Sequence, residues 1–340
     1  MAKDTTELPI IALLFGDCTG IGPEIAAKVL AEGTMNDRAR LVAVGDARVL
    51  AKGMRDAKVS FDWRSVKRVA DIDWSDASVP LVDLKNIDPA DVGQGAISPV
   101  SGKITGETLR HAIMMAKAGA VDAVTFAPLN KAAMYAGGFR FPDEHKFFAN
   151  VLGHNSYFSE MNVLDPHWMS RVTSHVSLRE ALDLITEESI TDAIELAHRM
   201  MKRAGIEKPR LAVAALNPHA GENGLFGREE IELIRPTVEK VAATGIDVKG
   251  PFPSDTVYIR AFNGEFDSVV SMYHDQGQIA TKMKGFNRGV TITAGLDVLF
   301  TTPAHGTAFD IVGQGVASTG GLESALALAA KLAANKEAAA

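Results

Sequence analysis

Three histidines stand in matching settings. His175 in RVTSHVSL, His219 in LNPHAGENG and His274 in SMYHDQGQ each come just past an apolar, strand-like run and close to an expected helix start. Ligands of open parallel sheets bind at the carboxyl ends of the strands, so three imidazoles projecting there could converge on one metal ion. Neutral imidazole suits zinc, cobalt, nickel or iron, and three protein ligands leave positions open for a substrate. The long gaps between the three match no short metal motif, so convergence would have to come from the fold. Taken singly, each is more readily a hydrogen-bonded turn or core histidine; the shared placement is what favours a metal.

Other polar clusters also follow strand-like runs. In GDCTGIGPEI, Gly20 and Gly22 permit a tight turn, Pro23 fits a first helical position and Glu24 suits a helix N-terminus. The pattern is not GxGxxG, so it is either a plain strand–turn–helix joint or a turn facing a ligand. TFAPLNKAAM places Asn130 and Lys131 after a strand, where the lysine could hold an anion, serve in acid–base work or simply be solvated. FPDEHKFFANVLG puts His145 and Lys146 ahead of an aromatic pair, and PSDTVY puts Asp255 at a helix start, by default as its N-cap. TTPAHGTAFDIVGQG gathers small residues around His305 and Asp310, and small residues let a backbone approach a flat ligand closely.

The elements that must position these residues read as alternating strands and helices, the α/β pattern. Strand-like runs are PIIALLF, RLVAVG, VPLVDL, VDAVTFA, EMNVLD, RLAVAAL, FDSVVSMY and GVTITAG. Helical stretches include GETLRHAIMMAKAG and SITDAIELAHRMMKRAG, the latter with Ser189 and Asp192 as an acidic variant of a capping box. GREEIELIRPTVEKVAATG carries Pro236, which should kink it. The tail ANKEAAA reads as a frayed helix end. The 340 residues suffice for two domains or one large α/β unit, and no repeat or Pro/Gly-rich linker interrupts them. The N-terminal segment has no cleavage site of a secretory signal, and no apolar run is long enough to span a membrane. A lone cysteine, Cys18, excludes an internal disulfide and points to a reducing cytoplasm. The net charge of −7, without any basic stripe, excludes a nucleic-acid surface.

GDCTGIGPE, APLNK, LNPHAGENGLFG, GPFPSDT, MYHDQG and HGTAFDIVGQG, in that order, resemble the 4-hydroxythreonine-4-phosphate dehydrogenase family of vitamin B6 synthesis, over nearly the whole chain. HGTAFDI also resembles the nucleotide-binding segment of isocitrate and isopropylmalate dehydrogenases, whose fold that family shares. The resemblance implies a two-domain α/β/α subunit with an active-site cleft between domains. The nucleotide-binding domain would comprise 1–129 with 292–340, and the substrate, metal and dimerisation domain 130–291. It implies a homodimer with shared active sites and no membrane. One divalent metal per site (zinc, cobalt, manganese or magnesium) would be held by His175, His219 and His274, two from one subunit and one, His274, from its partner. The reaction would be NAD- or NADP-dependent oxidation of a secondary alcohol β to a carboxylate, followed by loss of CO2, on a small hydroxy acid. His305, Gly306, Thr307, Ala308 and Asp310 would bind the nucleotide. Lys131 and Asp255 are candidates for acid–base and orienting roles.

The chain departs from that pattern around the substrate. Where the family reads Gly-His-Thr-Glu, this chain reads DEHKFF, so His145 is kept and Lys146 replaces a threonine. Of the Lys, Asn and Arg that hold a phosphorylated substrate, Lys282 matches, but the other two positions hold Thr291 and Phe300. Arginine grips phosphate through a bidentate fork that phenylalanine cannot supply. The departure leads to an expectation of retained chemistry and an altered substrate, with 4-hydroxythreonine 4-phosphate a poor one. A carboxylated cis-dihydrodiol is one alternative, with Lys146 supplying charge for a carboxylate; Lys146 with Lys282 could instead hold a phosphate in another geometry. A non-catalytic metabolite-binding protein and an acyltransferase are the competing classes, disfavoured by the three histidines and by HGTAFDI.

Overall fold

A computed structural model describes residues 8–285 and 288–335. Of the expected frayed tail, 334–340, residues 336–340 lie outside the described residues, as do residues 1–7. The described chain forms two compact units, one of residues 8–155 with 296–334, the other centred on 156–295.

The first unit contains strands β1 (Ile10–Leu14), β2 (Arg40–Gly45), β3 (Trp63–Ser65), β4 (Val79–Asp83), β5 (Ala123–Phe126) and β12 (Leu299–Pro303). They run in the order β3-β4-β2-β1-β5-β12, and every pairing is parallel. The continuous apolar run IIALL of β1 suits a central parallel strand covered on both faces, and Ile11 to Leu13 are fully buried. The helices are α1 (Gly22–Glu32), α2 (Ala47–Ala57), α3 (Pro99–Lys117), α4 (Lys131–Ala136), α5 (Glu144–Leu152) and α11 (Gly320–Ala334). Pro23 opens α1 as expected. Helix α3 begins earlier than the sequence pattern suggests, because Ser98 caps it by accepting from Ser101 N.

The second unit contains β6 (Ser159–Leu164), β7 (His167–Arg171), β8 (Leu211–Ala214), β9 (Val248–Phe252), β10 (Ser268–Ser271) and β11 (Val290–Ala294). Their order is β11-β6-β7-β10-β8-β9; β6 is antiparallel to both neighbours and the rest pair in parallel. Its helices are α6 (Leu178–Leu184), α7 (Glu187–Arg203), α8 (Arg235–Ala242), α9 (Ser254–Phe262) and α10 (His274–Gly285). Met169, Ala212, Val257, Phe266 and Val269 form part of its core. Helix α7 starts before Ser189: Thr186 is the cap, and Ser189 is its reciprocal partner. The kink expected at Pro236 appears as a π-helical turn, Glu230–Ile234, leading into α8. Proline lacks the N–H that would continue the ladder, and a wider turn absorbs the loss.

Residues 130–155, which the sequence reading assigns to the second domain, fall in the first unit. Helix α4 packs on α3, and Phe148 of α5 stacks on Phe300 of β12. Residues 292–295 fall in the second, since β11 pairs with β6. Among the described residues no helix is long and apolar enough to cross a membrane.

Candidate active site

In the second unit the order β7-β10-β8 puts three parallel strands side by side. His175 follows β7, His274 opens α10 after β10, and His219 follows β8. Topology thus delivers what spacing could not: all three histidines leave the carboxyl ends of consecutive strands.

The rings of His175 and His274 lie 5.7 Å apart between centroids, tilted by 39°. Both line a cavity of about 210 Å³ with Thr173, Ser174, Tyr273 and Asp275. His274 Nδ1 is 2.7 Å from Asp275 Oδ1, which leaves Nε2 as the nitrogen for a ligand. His175 Nε2 is 3.7 Å from Glu160 Oε2. Glu160 also pairs with Arg171 at 3.5 Å, and that guanidinium, only 3 % exposed, donates to Asn162 as well. Beneath these residues burial pushes the Tyr258 phenol up to about 12.

His219 begins a run of five residues, His219–Asn223, with φ of 52°, 55°, 78°, 42° and 55°. Left-handed backbone costs an L-residue about 1–2 kcal/mol. His175 is in the same region, at φ 53°. Strain of this kind collects at functional sites, where the surroundings must enforce it.

Two imidazoles on one cation, bonded at about 2.0–2.1 Å, hold their ring centroids roughly 5–6 Å apart. His175 and His274 of the same chain fit that separation, which differs from the implied arrangement in which His274 reaches a metal of the partner subunit. His219 does not join them within one chain: among the described residues no three His, Cys, Asp or Glu form a metal-holding group.

In the first unit β1, β5 and β12 are likewise adjacent and parallel. Their carboxyl ends carry Asp17–Ile21, Pro128–Lys131 and the His305–Asp310 segment. The turn after β1 braces that segment: Ile21 N donates to Thr307 O at 3.1 Å. A Cβ on Gly20 would stand 2.8 Å from Thr307 Cβ and 2.9 Å from its carbonyl oxygen, so only glycine permits the approach. Thr307 is buried, whereas Gly306 and Asp310 are exposed and Ala308 is left-handed at φ 42°. The His305 ring rests against Gly321 at the start of α11. Exposed backbone at Gly306 and a turn at Ala308 suit the close approach of a nucleotide.

Lys131 opens α4 and pairs with Glu144 at 2.8 Å. His145 is buried, its ring edge-on to Phe148 at 6.3 Å, while Lys146 is exposed and its N–H donates to the cap Asp143. Phe300 is 0 % exposed and stacks on Phe148 at 4.2 Å, within an aromatic cluster that includes Phe126. In the second unit Lys282 is exposed on α10, and Thr291 on β11 is buried, accepting from Asn162 Nδ2 at 3.0 Å. Asp255 is exposed in the first turn of α9; Pro253, not Asp255, occupies the N-cap.

Sequence reasoning passed over Glu160, Arg171, Asn217 and Glu230. In a strand the first two read as solvent-facing, and Glu230 reads as one acid in an amphipathic helix. Arg171 and Glu230 are marked by burial, at 3 % and 0 % exposed, and Glu160 and Asn217 by their bonds to these two.

The family described as pyridoxal phosphate biosynthetic protein PdxA matches residues 37–329. A protein of Rhizobium meliloti, provisionally named 4-hydroxythreonine-4-phosphate dehydrogenase 2, is 44% identical over 97% of this chain and 95% of its own length. One of Oceanobacillus iheyensis, provisionally named D-threonate 4-phosphate dehydrogenase, is 40% identical over 96% of this chain and 99% of its own. The crystal structure of 4-hydroxythreonine-4-phosphate dehydrogenase from Klebsiella pneumoniae superposes with a TM-score of 0.82 at 37% identity, covering 96% of this chain and 99% of that one. The match across most of the chain, on a fold that aligns three histidines at neighbouring strand ends, makes this chain a member of the PdxA family.

Proposed function

We propose that the protein is a metal-dependent NAD- or NADP-dependent dehydrogenase that oxidises the secondary alcohol of a phosphorylated hydroxy acid, with loss of CO2 when the ketone formed is β to the carboxylate. The observation that carries this reading is the delivery of His175, His274 and His219 from the carboxyl ends of three neighbouring parallel strands. Names among the relatives point to 4-hydroxythreonine 4-phosphate or D-threonate 4-phosphate as substrate.

His175, His219 and His274 would hold one divalent cation, its ligands drawn from both copies of a homodimer. Exposed apolar side chains near the histidines, among them Val176, Leu178, Leu182, Ile279 and Met283, support that pairing. When bound, the cation would polarise the alcohol oxygen and the nicotinamide would accept the hydride. The residues of this chain supply the remainder. Asp275 orients the His274 ring. Gly306 and Ala308 would present backbone to the nucleotide, Thr307 ties their segment to the turn after β1 by accepting from Ile21 N, and the Asp310 carboxylate would suit ribose hydroxyls. Lys131, paired with Glu144 at 2.8 Å, would move a proton, and Asp255 would orient the substrate. In the first unit the exposed Lys146 would offer charge for phosphate or carboxylate beside His145, with Phe300 acting through Phe148. In the second unit the exposed Lys282 would do the same, and Thr291 would contribute its hydroxyl to substrate binding.

Steady-state reduction of NAD and NADP, with each of the two phosphorylated hydroxy acids and added Zn²⁺ or Co²⁺, tests the reading. Metal-dependent formation of reduced nicotinamide is expected. Failure with both acids and both nucleotides would overturn it.

A further inference from the structure

The left-handed run that carries His219 is unstable by itself, so something must hold it. Glu230 does so from a completely buried position. Its Oε1 accepts from the backbone N–H groups of Leu216 (2.9 Å) and Asn217 (2.7 Å), and its Oε2 accepts from the Asn217 side-chain amide (3.0 Å). All three bonds end on the two residues just ahead of Pro218 and His219. The run folds back onto the same carboxylate: a Cβ on Gly221 would stand 2.7 Å from Glu230 Oε2. Glu230 opens the π-helical turn Glu230–Ile234, and π-turns are frequent at functional sites.

We infer that Glu230, acting through Asn217, is the positioning residue that fixes the His219 imidazole for metal binding. This rests on the proposal that His219 is a metal ligand. Every acceptor site that Glu230 uses faces a donor, so a glutamine Nε2 in place of Oε2 would face Asn217 Nδ2, which cannot turn over without losing its 2.6 Å bond to Glu229 Oε2. The strained turn would then relax, and His219 would lose its aim. Groups that orient a metal ligand typically account for about 10–100-fold in metal affinity.

The test is Co²⁺ binding to the full-length protein, followed by the visible ligand-field spectrum and by chelator competition, for wild type, His219→Ala, Glu230→Gln and Asn217→Ala. His219→Ala should weaken binding by about 100-fold or more. Glu230→Gln should weaken it roughly 10–100-fold with an altered spectrum, and Asn217→Ala by a smaller factor in the same direction. Should Glu230→Gln not fold, Asn217→Ala decides alone, since it leaves the carboxylate and its two backbone bonds in place. A weakened His219→Ala beside wild-type affinity and spectrum in the other folded variants would overturn the role of Glu230 and leave the metal reading standing. Wild-type Co²⁺ affinity in His219→Ala would instead sink the metal reading, and this inference with it.

Discussion

Replacing Phe300 by arginine sets two accounts of that residue against each other. As a wall of a substrate pocket it would admit an arginine, which would grip phosphate. As a core residue it would not. Phe300 is 0 % exposed, stacks on Phe148 at 4.2 Å, and is paired in register with the buried Val124 of β5. Truncating a buried phenylalanine costs about 3–5 kcal/mol, of which an aromatic pair accounts for roughly 0.5–1.5. An uncompensated buried charge costs about 3–5 kcal/mol more. Even if the guanidinium partly escapes to the surface, a loss of about 5 kcal/mol is expected, against a typical total of about 5–15. Phe300→Leu, which keeps the site apolar, should lose only about 1–2 kcal/mol. Urea unfolding followed by circular dichroism measures both. Phe300→Arg that folds within about 1 kcal/mol of wild type and gains affinity for phosphate would refute the core assignment.

Gly20→Ala pushes on Thr307 from 2.8 Å, so KM for the nucleotide should rise roughly tenfold while Co²⁺ affinity stays unchanged; equal effects on both would contradict the separate roles of the two clusters. His274→Ala should abolish metal binding and turnover yet hold urea stability within about 0.5 kcal/mol, because its side chain is 35 % exposed. Burial pushes the Asp267 carboxyl up, but bidentate bonding from the Arg210 guanidinium and the Arg210 N–H outweighs it and holds the carboxyl below its ordinary value. Its stabilisation is therefore present above the unfolded value of about 3.9 and lost as pH falls through the lower folded value. Asp267→Asn should cost on the order of 1 kcal/mol at neutral pH and flatten the stability profile below about pH 4; an unchanged acid slope would contradict the assignment.

Much of the fold could be read from apolar runs, and the reasons for the exceptions are specific. Strand β1 announces itself because a central parallel strand is apolar on both faces. Strand β7, HWMSR, does not, although Ser170 and Arg171 are buried between β6 and β10. Its polar side chains are paid for by long-range bonds, such as those from Arg171 to Glu160 and Asn162, that no local pattern foretells. Sequence alone sets the cap of α7 one helical turn late because Thr186 and Ser189 are chemically interchangeable as caps, and their reciprocal bond decides only in three dimensions. At the site, the residue types of the three histidines suggest a metal, but only the order β7-β10-β8 sets them at neighbouring strand ends. Glu230 left no trace in sequence, since its burial depends on a left-handed turn that L-residues rarely adopt.

Anomalous diffraction at the zinc edge, from crystals grown with Zn²⁺, tests the central claim most directly. The account predicts one strong peak per chain, about 2.0–2.1 Å from an imidazole nitrogen of each of His175, His219 and His274, with the set completed across two copies. A peak that touches only one of the three, or an assembly whose histidines share no ion, would contradict it.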